Sequence, residues 1–297
     1  MEDMFTKLSS VQNPLIKSLR GLKTSEGRRD SGLMMIEGQK LLNEALHAGH
    51  RIHAVLVDEE RSSDYAALIG RIKEMRFAPD AASHGINRYA DTLRSGLASS
   101  PGVPAYTVTE RVLRALSDTK TPQGIVAAIG IPAPLDLDTL EAVAAAGSGL
   151  LVALDGVRDP GNVGAIWRTA DAVGAVGLLL SGDCADQFSP KVVRASMGAL
   201  FRVPTLRCDE LAEKLRGLCA AGYEVLVSAL CGEDFYTYRA SGAARVLVIG
   251  GEARGVSEAV VNAAARVLTL PMRGGAESLN AAVAAGIMMY HLSRGEH

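Results

Sequence analysis

The chain has few cysteines and no long apolar run, and each lack argues against a class of protein. Only Cys184, Cys208, Cys219 and Cys231 occur, widely spaced, with no C-x-x-C pair and no histidine at zinc-finger spacing. That pattern supports neither a disulfide scaffold nor a zinc site, and reduced thiols in a cytoplasmic protein are expected. No window approaches the roughly 18 continuous apolar residues of a membrane span. The opening MEDMFTKLSSVQNP holds no signal-peptide core. A large net charge is missing as well: 31 Lys and Arg stand against 33 Asp and Glu, giving −2 with 48% apolar residues. Disorder requires the opposite balance. There is also no G-x-S-x-G elbow, H-E-x-x-H helix, P-loop or G-x-G-x-x-G fingerprint, so the common hydrolase, zinc-protease and nicotinamide-cofactor signatures are all missing.

What is present suits about two domains in 297 residues. In the first half a helical pattern over Ile36–Gly49 precedes a β-branched strand, Ile52–Val57; helices over Tyr65–Met75 and Glu110–Ser117 precede a closing strand, Gln123–Ile129. Periodicity fades from Ala78 to Pro104, which reads as a long surface loop. Two prolines in Ile131–Leu137 place a break there. The expected division is a first domain over 1–130, a linker over 131–148 and a second domain over 149–297. In that second part, apolar strands at Leu150–Leu154, Gly177–Leu180, Tyr223–Ala229, Arg245–Ile249 and Val267–Leu270 alternate with helices at Ala165–Val173, Glu210–Ala221, Ser257–Ala264 and Ser278–Ser293. This is an α/β pattern with a parallel sheet covered on both faces.

In such sheets ligands bind beyond the carboxyl ends of the strands, and three polar, glycine-rich loops leave those ends. In DGVRDPGNVGAIWR, Asn162 either caps the following helix or holds a ligand, and Arg168 in apolar surroundings wants an anionic partner, structural or bound. In IGGEARGVS, Gly250 and Gly251 open the backbone beside Glu252. In LTLPMRGGAESLN, Gly274-Gly275 permits a tight loop and Ser278 opens an Ala-rich helix with Asn280 in its first turn. That helix reads as a closely packed core or dimer helix. Separately, Lys17, Arg20, Lys23, Arg28 and Arg29 cluster against Glu26 alone, either a solvated face or a phosphate-contacting one.

Together the three loops resemble the motifs of the SpoU (TrmH-type) RNA 2'-O-methyltransferases of the SPOUT superfamily. N-x-G-x-x-x-R stands as Asn162, Gly164 and Arg168; the glycine–glutamate motif as Gly250, Gly251, Glu252 and Gly255; the last as Pro271, Met272, Ser278, Leu279 and Asn280. Between them, KVVRASMGALFRVP carries Arg194. NPLIK, IEGQKLLNEAL and SDTKTPQGIVAAI are similar to the family's N-terminal substrate-binding domain; the Ala78–Pro104 stretch is longer than usual there.

The resemblance implies a C-terminal SPOUT domain with a deep trefoil knot behind a small ribosomal-protein-like α/β domain. It implies an S-adenosyl-L-methionine-dependent methylation of RNA, ribosomal in preference to transfer RNA, by a cytoplasmic homodimer without metal. Catalytic roles fall to Asn162, Arg168, Glu252, Ser278 and Asn280, with Glu252 orienting Arg168 or the ribose. Gly250, Gly251, Glu252, Leu270, Pro271, Met272, Ser278 and Leu279 would hold the cofactor. Lys17, Arg20, Lys23, Arg28, Arg29 and Arg194 would meet RNA. A catalytically silent RNA-binding or ribosome-assembly factor on the same fold is the alternative.

Overall fold

A computed structural model describes residues 5–75, 102–239 and 244–293. The chain divides into two compact units: one takes in the sequence up to Pro132 together with Phe188–Arg194, the other Ala133–Gln187 and the sequence from Ala195 onward.

The first unit is built on a mixed sheet in the order β1-β4-β3-β5-β2, from β1 (Thr6–Leu8), β2 (Leu33–Glu37), β3 (Ile52–Asp58), β4 (Ala105–Val108) and β5 (Ile125–Gly130). β5 runs antiparallel to β2 and β3, while β4 is parallel to β1 and β3. Helices α1 (Pro14–Gly21), α2 (Ser25–Ser31), α3 (Gln39–His47), α4 (Ser62–Glu74) and α5 (Glu110–Leu116) surround it. α1 starts where Asn13 accepts from the Leu15 amide and Pro14 presets the backbone, and it buries Leu15, Ile16 and Leu19.

The single helix expected over Ile36–Gly49 is instead a strand and a helix. Ile36 belongs to β2, and the chain turns at Gly38, whose φ is +96°. That left-handed backbone favours glycine, and a Cβ there would also push aside the Gln123 side-chain amide, whose Oε1 lies 2.2 Å from its position. Beside this turn the Glu37 carboxylate gathers a whole loop. It accepts from the Ser117 hydroxyl at 2.8 Å, the Thr119 hydroxyl at 2.9 Å and the Gln123 amide at 3.0 Å. The loop expected over Ala78–Pro104 lies almost wholly outside the described residues.

The second unit is a wholly parallel sheet in the order β11-β9-β10-β6-β7-β8. Its strands are β6 (Leu150–Asp155), β7 (Gly177–Ser181), β8 (Thr205–Cys208), β9 (Glu224–Asp234), β10 (Arg245–Gly250) and β11 (Arg266–Thr269). Every residue of β6 and β7 is buried, as expected of strands covered on both faces. Helices α6 (Leu137–Ala146), α7 (Pro160–Ala172), α9 (Leu211–Ala220), α10 (Glu258–Val261) and α11 (Ala281–Ser293) belong to this unit, while most of α8 (Pro190–Ser196) falls in the Phe188–Arg194 segment of the first. The stretch expected as a linker holds α6, and its Leu135 and Leu140 are buried in this unit's core.

The strand order positions the site. From β6 the chain winds outward through β7 and β8, crosses to β9, and then inserts β10 between β9 and β6. The order therefore reverses between β6 and β10, and the crevice beyond their carboxyl ends is where an open α/β sheet takes a ligand.

Candidate functional site

β6 delivers Asp155 to this crevice, and Asp155 works as a fastener. Its carboxylate, nearly buried, accepts from the Ser257 amide at 2.7 Å, and its carbonyl accepts from the Gly251 amide at 2.9 Å. The loop after β6 is thereby tied to the loop after β10. The contact is close enough to exclude side chains. A Cβ on Gly251 would fall 2.2 Å from the Gly156 carbonyl oxygen, and one on Gly250 would fall 2.2 Å from the Gly255 carbonyl carbon. From the other side the Ser181 hydroxyl, at the end of β7, accepts from the Gly156 amide at 2.9 Å and donates to Asp183 at 2.6 Å. That hydroxyl, followed by Arg158, holds the Asp183 carboxyl below the usual range. Asp155, Ser181, Asp183 and Ser257 were not singled out in the sequence; a carboxylate ending an otherwise apolar strand was the available signal for the first.

α7 begins at Asp159, whose side chain accepts from the Asn162 amide at 2.9 Å, with Pro160 in the first turn. Asn162 is thus not the helix cap, and its own side chain is free for other work. Its Nδ2 donates to Glu252 Oε1 at 2.9 Å. Asn280 completes the arrangement: its Nδ2 donates to Glu252 Oε1 at 2.8 Å and to Asn162 Oδ1 at 3.0 Å. Three loops, separated by up to 118 residues of chain, meet in a closed triangle of two amides and one carboxylate. Glu252 Oε2 makes no hydrogen bond among the described residues. A pocket of about 160 Å³ opens beside the triangle, lined by Asn162, Glu252, Arg158 and the loop backbone at 156–157.

Asn280 also caps α11. Its Oδ1 accepts from the Ala282 and Val283 amides at 3.0 and 3.3 Å, so the helix starts at Ala281 and not at Ser278 as expected. Ser278 is exposed in the preceding loop, as are Met272 and Leu279, while Leu270 is buried and Pro271 half-buried. In this loop the exposed apolar side chains of Met272 and Leu279 stand either side of Gly274-Gly275, whose backbone no side chain covers. A donor set of backbone groups and apolar surface suits a flat, uncharged heterocycle such as adenine, so the residues present fit the expected cofactor.

Arg168 is exposed on α7, six residues and about 9 Å of helix rise beyond Asn162. It makes no hydrogen bond or ion pair among the described residues, and Glu252 bonds to the two asparagines and not to it. Of the two partners expected for Glu252, Arg168 is therefore not in contact with it within this chain: its donors are Asn162, in the first turn of α7, and Asn280.

The expected RNA contacts separate in the same way. Lys17, Arg20 and Arg29 are exposed. Arg28 is buried, and its guanidinium donates to the Leu22 carbonyl at 2.8 Å, so it braces α2 and does not face solvent. Lys23 donates to the Ser117 carbonyl at 2.6 Å; burial lowers its pKa, against the pull of Asp118. Arg194 pairs with Asp118 at 3.1 Å. Among the described residues no cluster of His, Cys, Asp and Glu could hold a metal ion, and no helix is long and apolar enough to cross a membrane.

Residues 149–290 match the SpoU rRNA Methylase family, and residues 13–127 match the MRM3-like substrate binding domain. The chain is 30% identical over 286 residues to the 23S rRNA (guanosine(2553)-2'-O)-methyltransferase RlmP of Bacillus subtilis, covering 96% of this chain and 98% of that one. Its structure superimposes on an AdoMet-bound rRNA methyltransferase from Sinorhizobium meliloti with a TM-score of 0.77, at 29% identity and 98% coverage of both chains. The SpoU methyltransferase AviRb from Streptomyces viridochromogenes, in complex with AdoMet, gives a TM-score of 0.74 at 26% identity, covering 96% of this chain and 98% of that one.

Proposed function

The chain belongs to the SpoU rRNA methylase family, and from that premise we propose that it transfers a methyl group from S-adenosylmethionine to a ribose 2'-hydroxyl of ribosomal RNA. The observation that carries this reading is the Asn162–Glu252–Asn280 triangle, which draws three glycine-rich loops together at the switch point of the sheet.

When bound, S-adenosylmethionine supplies an electrophilic methyl on a positively charged sulfur. The residues of this chain have the task of presenting the ribose oxygen to it in line. The loop at 270–279 and the backbone at Gly250–Gly251 would hold the cofactor. Asn162 and Asn280 are fixed through Glu252 Oε1, so their geometry is set before substrate arrives and costs nothing to organise during the reaction. Glu252 Oε2 remains open to accept from a ribose hydroxyl. The guanidinium of Arg168 offers N–H donors and no acceptor, so it does not serve as the base. Its role is to donate forked hydrogen bonds to the 2'-oxygen or the neighbouring phosphate, and the proton leaves to that phosphate or to water.

Residues 1–130 serve as the RNA-holding part, with the exposed Lys17, Arg20 and Arg29 as phosphate contacts, and 149–297 as the catalytic part. Val283, Ile287 and Tyr290 form an exposed apolar stripe on α11 at the spacing of one helix face, which supports a homodimer packed through that helix. A cytoplasmic location goes with an RNA substrate of the ribosome.

The test is methyl transfer from labelled S-adenosylmethionine to ribosomal RNA from a strain lacking this gene, with the product mapped by its resistance to alkaline cleavage. One labelled ribose is expected. Labelling of transfer RNA alone would overturn the substrate assignment. Cofactor uptake or RNA binding with no transfer to any RNA would replace it with the silent RNA-binding factor.

A further inference from the structure

Among the described residues Arg168 has no partner, although a carboxylate lies one turn away on its own helix. Of the residues three or four positions from it on α7 (Gly164, Ala165, Asp171 and Ala172), only Asp171 is charged. An arginine and an aspartate at that spacing are neighbours on a helix surface and ordinarily pair. Here the aspartate is already taken. Arg202 donates from Nε to both Asp171 oxygens, at 3.1 and 3.0 Å, and from Nη2 to Oδ2 at 2.8 Å.

Arg202 is held in place by its neighbours. It follows a single turn of 3₁₀ helix, Ala199–Phe201, and is flanked by the buried Phe201 and Val203. The Val203 carbonyl accepts from the buried Trp167 Nε1 at 2.9 Å, and Trp167 is the residue immediately before Arg168. One face of α7 thus fixes the backbone that carries Arg202. Arg202 in turn occupies the carboxylate beside the exposed face.

We propose that Arg202 is a positioning residue: by occupying Asp171 it keeps the Arg168 guanidinium free for the RNA. The proposal rests on the methyl-transfer role given to Arg168 above. It holds whether Arg168 serves the site of its own chain or that of a second copy, because the competition is settled on the surface of α7.

The experiment compares Arg202→Ala, Asp171→Asn and the double variant, with turnover measured at saturating ribosomal RNA and S-adenosylmethionine uptake measured by calorimetry. An exposed ion pair shifts a population by at most about fivefold, so kcat of Arg202→Ala should fall roughly three- to fivefold. Cofactor affinity should hold. Adding Asp171→Asn should bring kcat back to within about twofold of the unaltered protein, since the competing carboxylate is gone. The defect of the single variant should also narrow as salt is raised, because the capturing pair is screened. A pair that merely stabilises the fold behaves differently: Arg202→Ala, Asp171→Asn and the double variant would lose equally, without rescue, and that result overturns the proposal. Should Arg202→Ala misfold, Arg202→Gln removes the charge while keeping much of the side-chain bulk, and the same rescue by Asp171→Asn is required. An unaltered protein that methylates RNA together with an Arg202→Ala variant of full turnover refutes this inference alone; an unaltered protein that transfers no methyl refutes both.

Discussion

Two glutamates, one in each unit, do outwardly the same thing. Glu37 draws Ser117, Thr119 and Gln123 to the end of β2, and Glu252 draws Asn162 and Asn280 to the end of β10. The difference lies in what is left over. Both oxygens of Glu37 are engaged, by hydroxyls and a backbone amide that the fold itself must satisfy. Glu252 is exposed, spends one oxygen on two side-chain amides and keeps the other open beside a pocket. A carboxylate consumed by its own chain is architecture. One with an oxygen to spare, in a crevice at a sheet's switch point, is equipped for a ligand.

Substitutions can break that contrast, and the largest effect is expected at the second glutamate. Glu252→Ala should reduce methyl transfer by about a hundredfold or more, in the range seen when a preorganised polar group is removed from a reacting centre. Its melting temperature should stay close to that of the unaltered protein, because the group is exposed. A large thermal loss would make the two glutamates equivalent and dissolve the distinction. Gly251→Ala should come next: the Cβ would overlap the Gly156 carbonyl, and the two loops would part by the ångström that positioning cannot absorb. Calorimetry should find weakened uptake of S-adenosylmethionine.

Glu37→Ala should show the converse pattern. Three donors lose their acceptor, costing about 1–3 kcal/mol of stability where the group is shielded, while cofactor uptake is retained. Chemical denaturation followed beside calorimetry separates the two outcomes. The smallest and sharpest test is Asn280→Asp against Asn280→Ala. Aspartate keeps the oxygen that caps α11, worth about 1 kcal/mol over alanine, but sets its other oxygen against Glu252 Oε1. Its melting temperature should therefore recover towards the unaltered value only as the pH is lowered and one carboxylate takes up a proton. Both lose the Nδ2 donor and should lose turnover alike; an active Asn280→Asp enzyme would remove the amide from the site.

Much of this was legible in the chain. The apolar runs that became β6, β7 and β10 can hardly be anything but buried strands, and the glycines after them announced backbone contact. Ile36 satisfied a strand and a helix equally well, so the turn at Gly38 was hidden until Gln123, far along the chain, was seen against it. Ser278 looked like a helix start because it precedes an alanine-rich run, yet Asn280 makes the better acceptor and took the role. Arg28 read as surface charge because its acceptor is the carbonyl of Leu22, and backbone acceptors leave no mark in a composition. For the same reason the partner of Glu252 stayed open in the sequence between Arg168 and a ribose. Spacing brings Glu252 near the loops, but only coordinates show that it holds amides and leaves Arg168 alone.

Asn280 joins two duties in one side chain: an oxygen that starts α11 and a nitrogen that closes the triangle. During synthesis, Asn162 and Glu252 emerge from the ribosome well before it does. A nascent chain holding only those two has an unfinished corner, and the group that finishes it is the one that nucleates the last helix. Closing the triangle is therefore coupled to forming the first turn of α11, so fraying of that helix end would loosen the corner where the three segments meet.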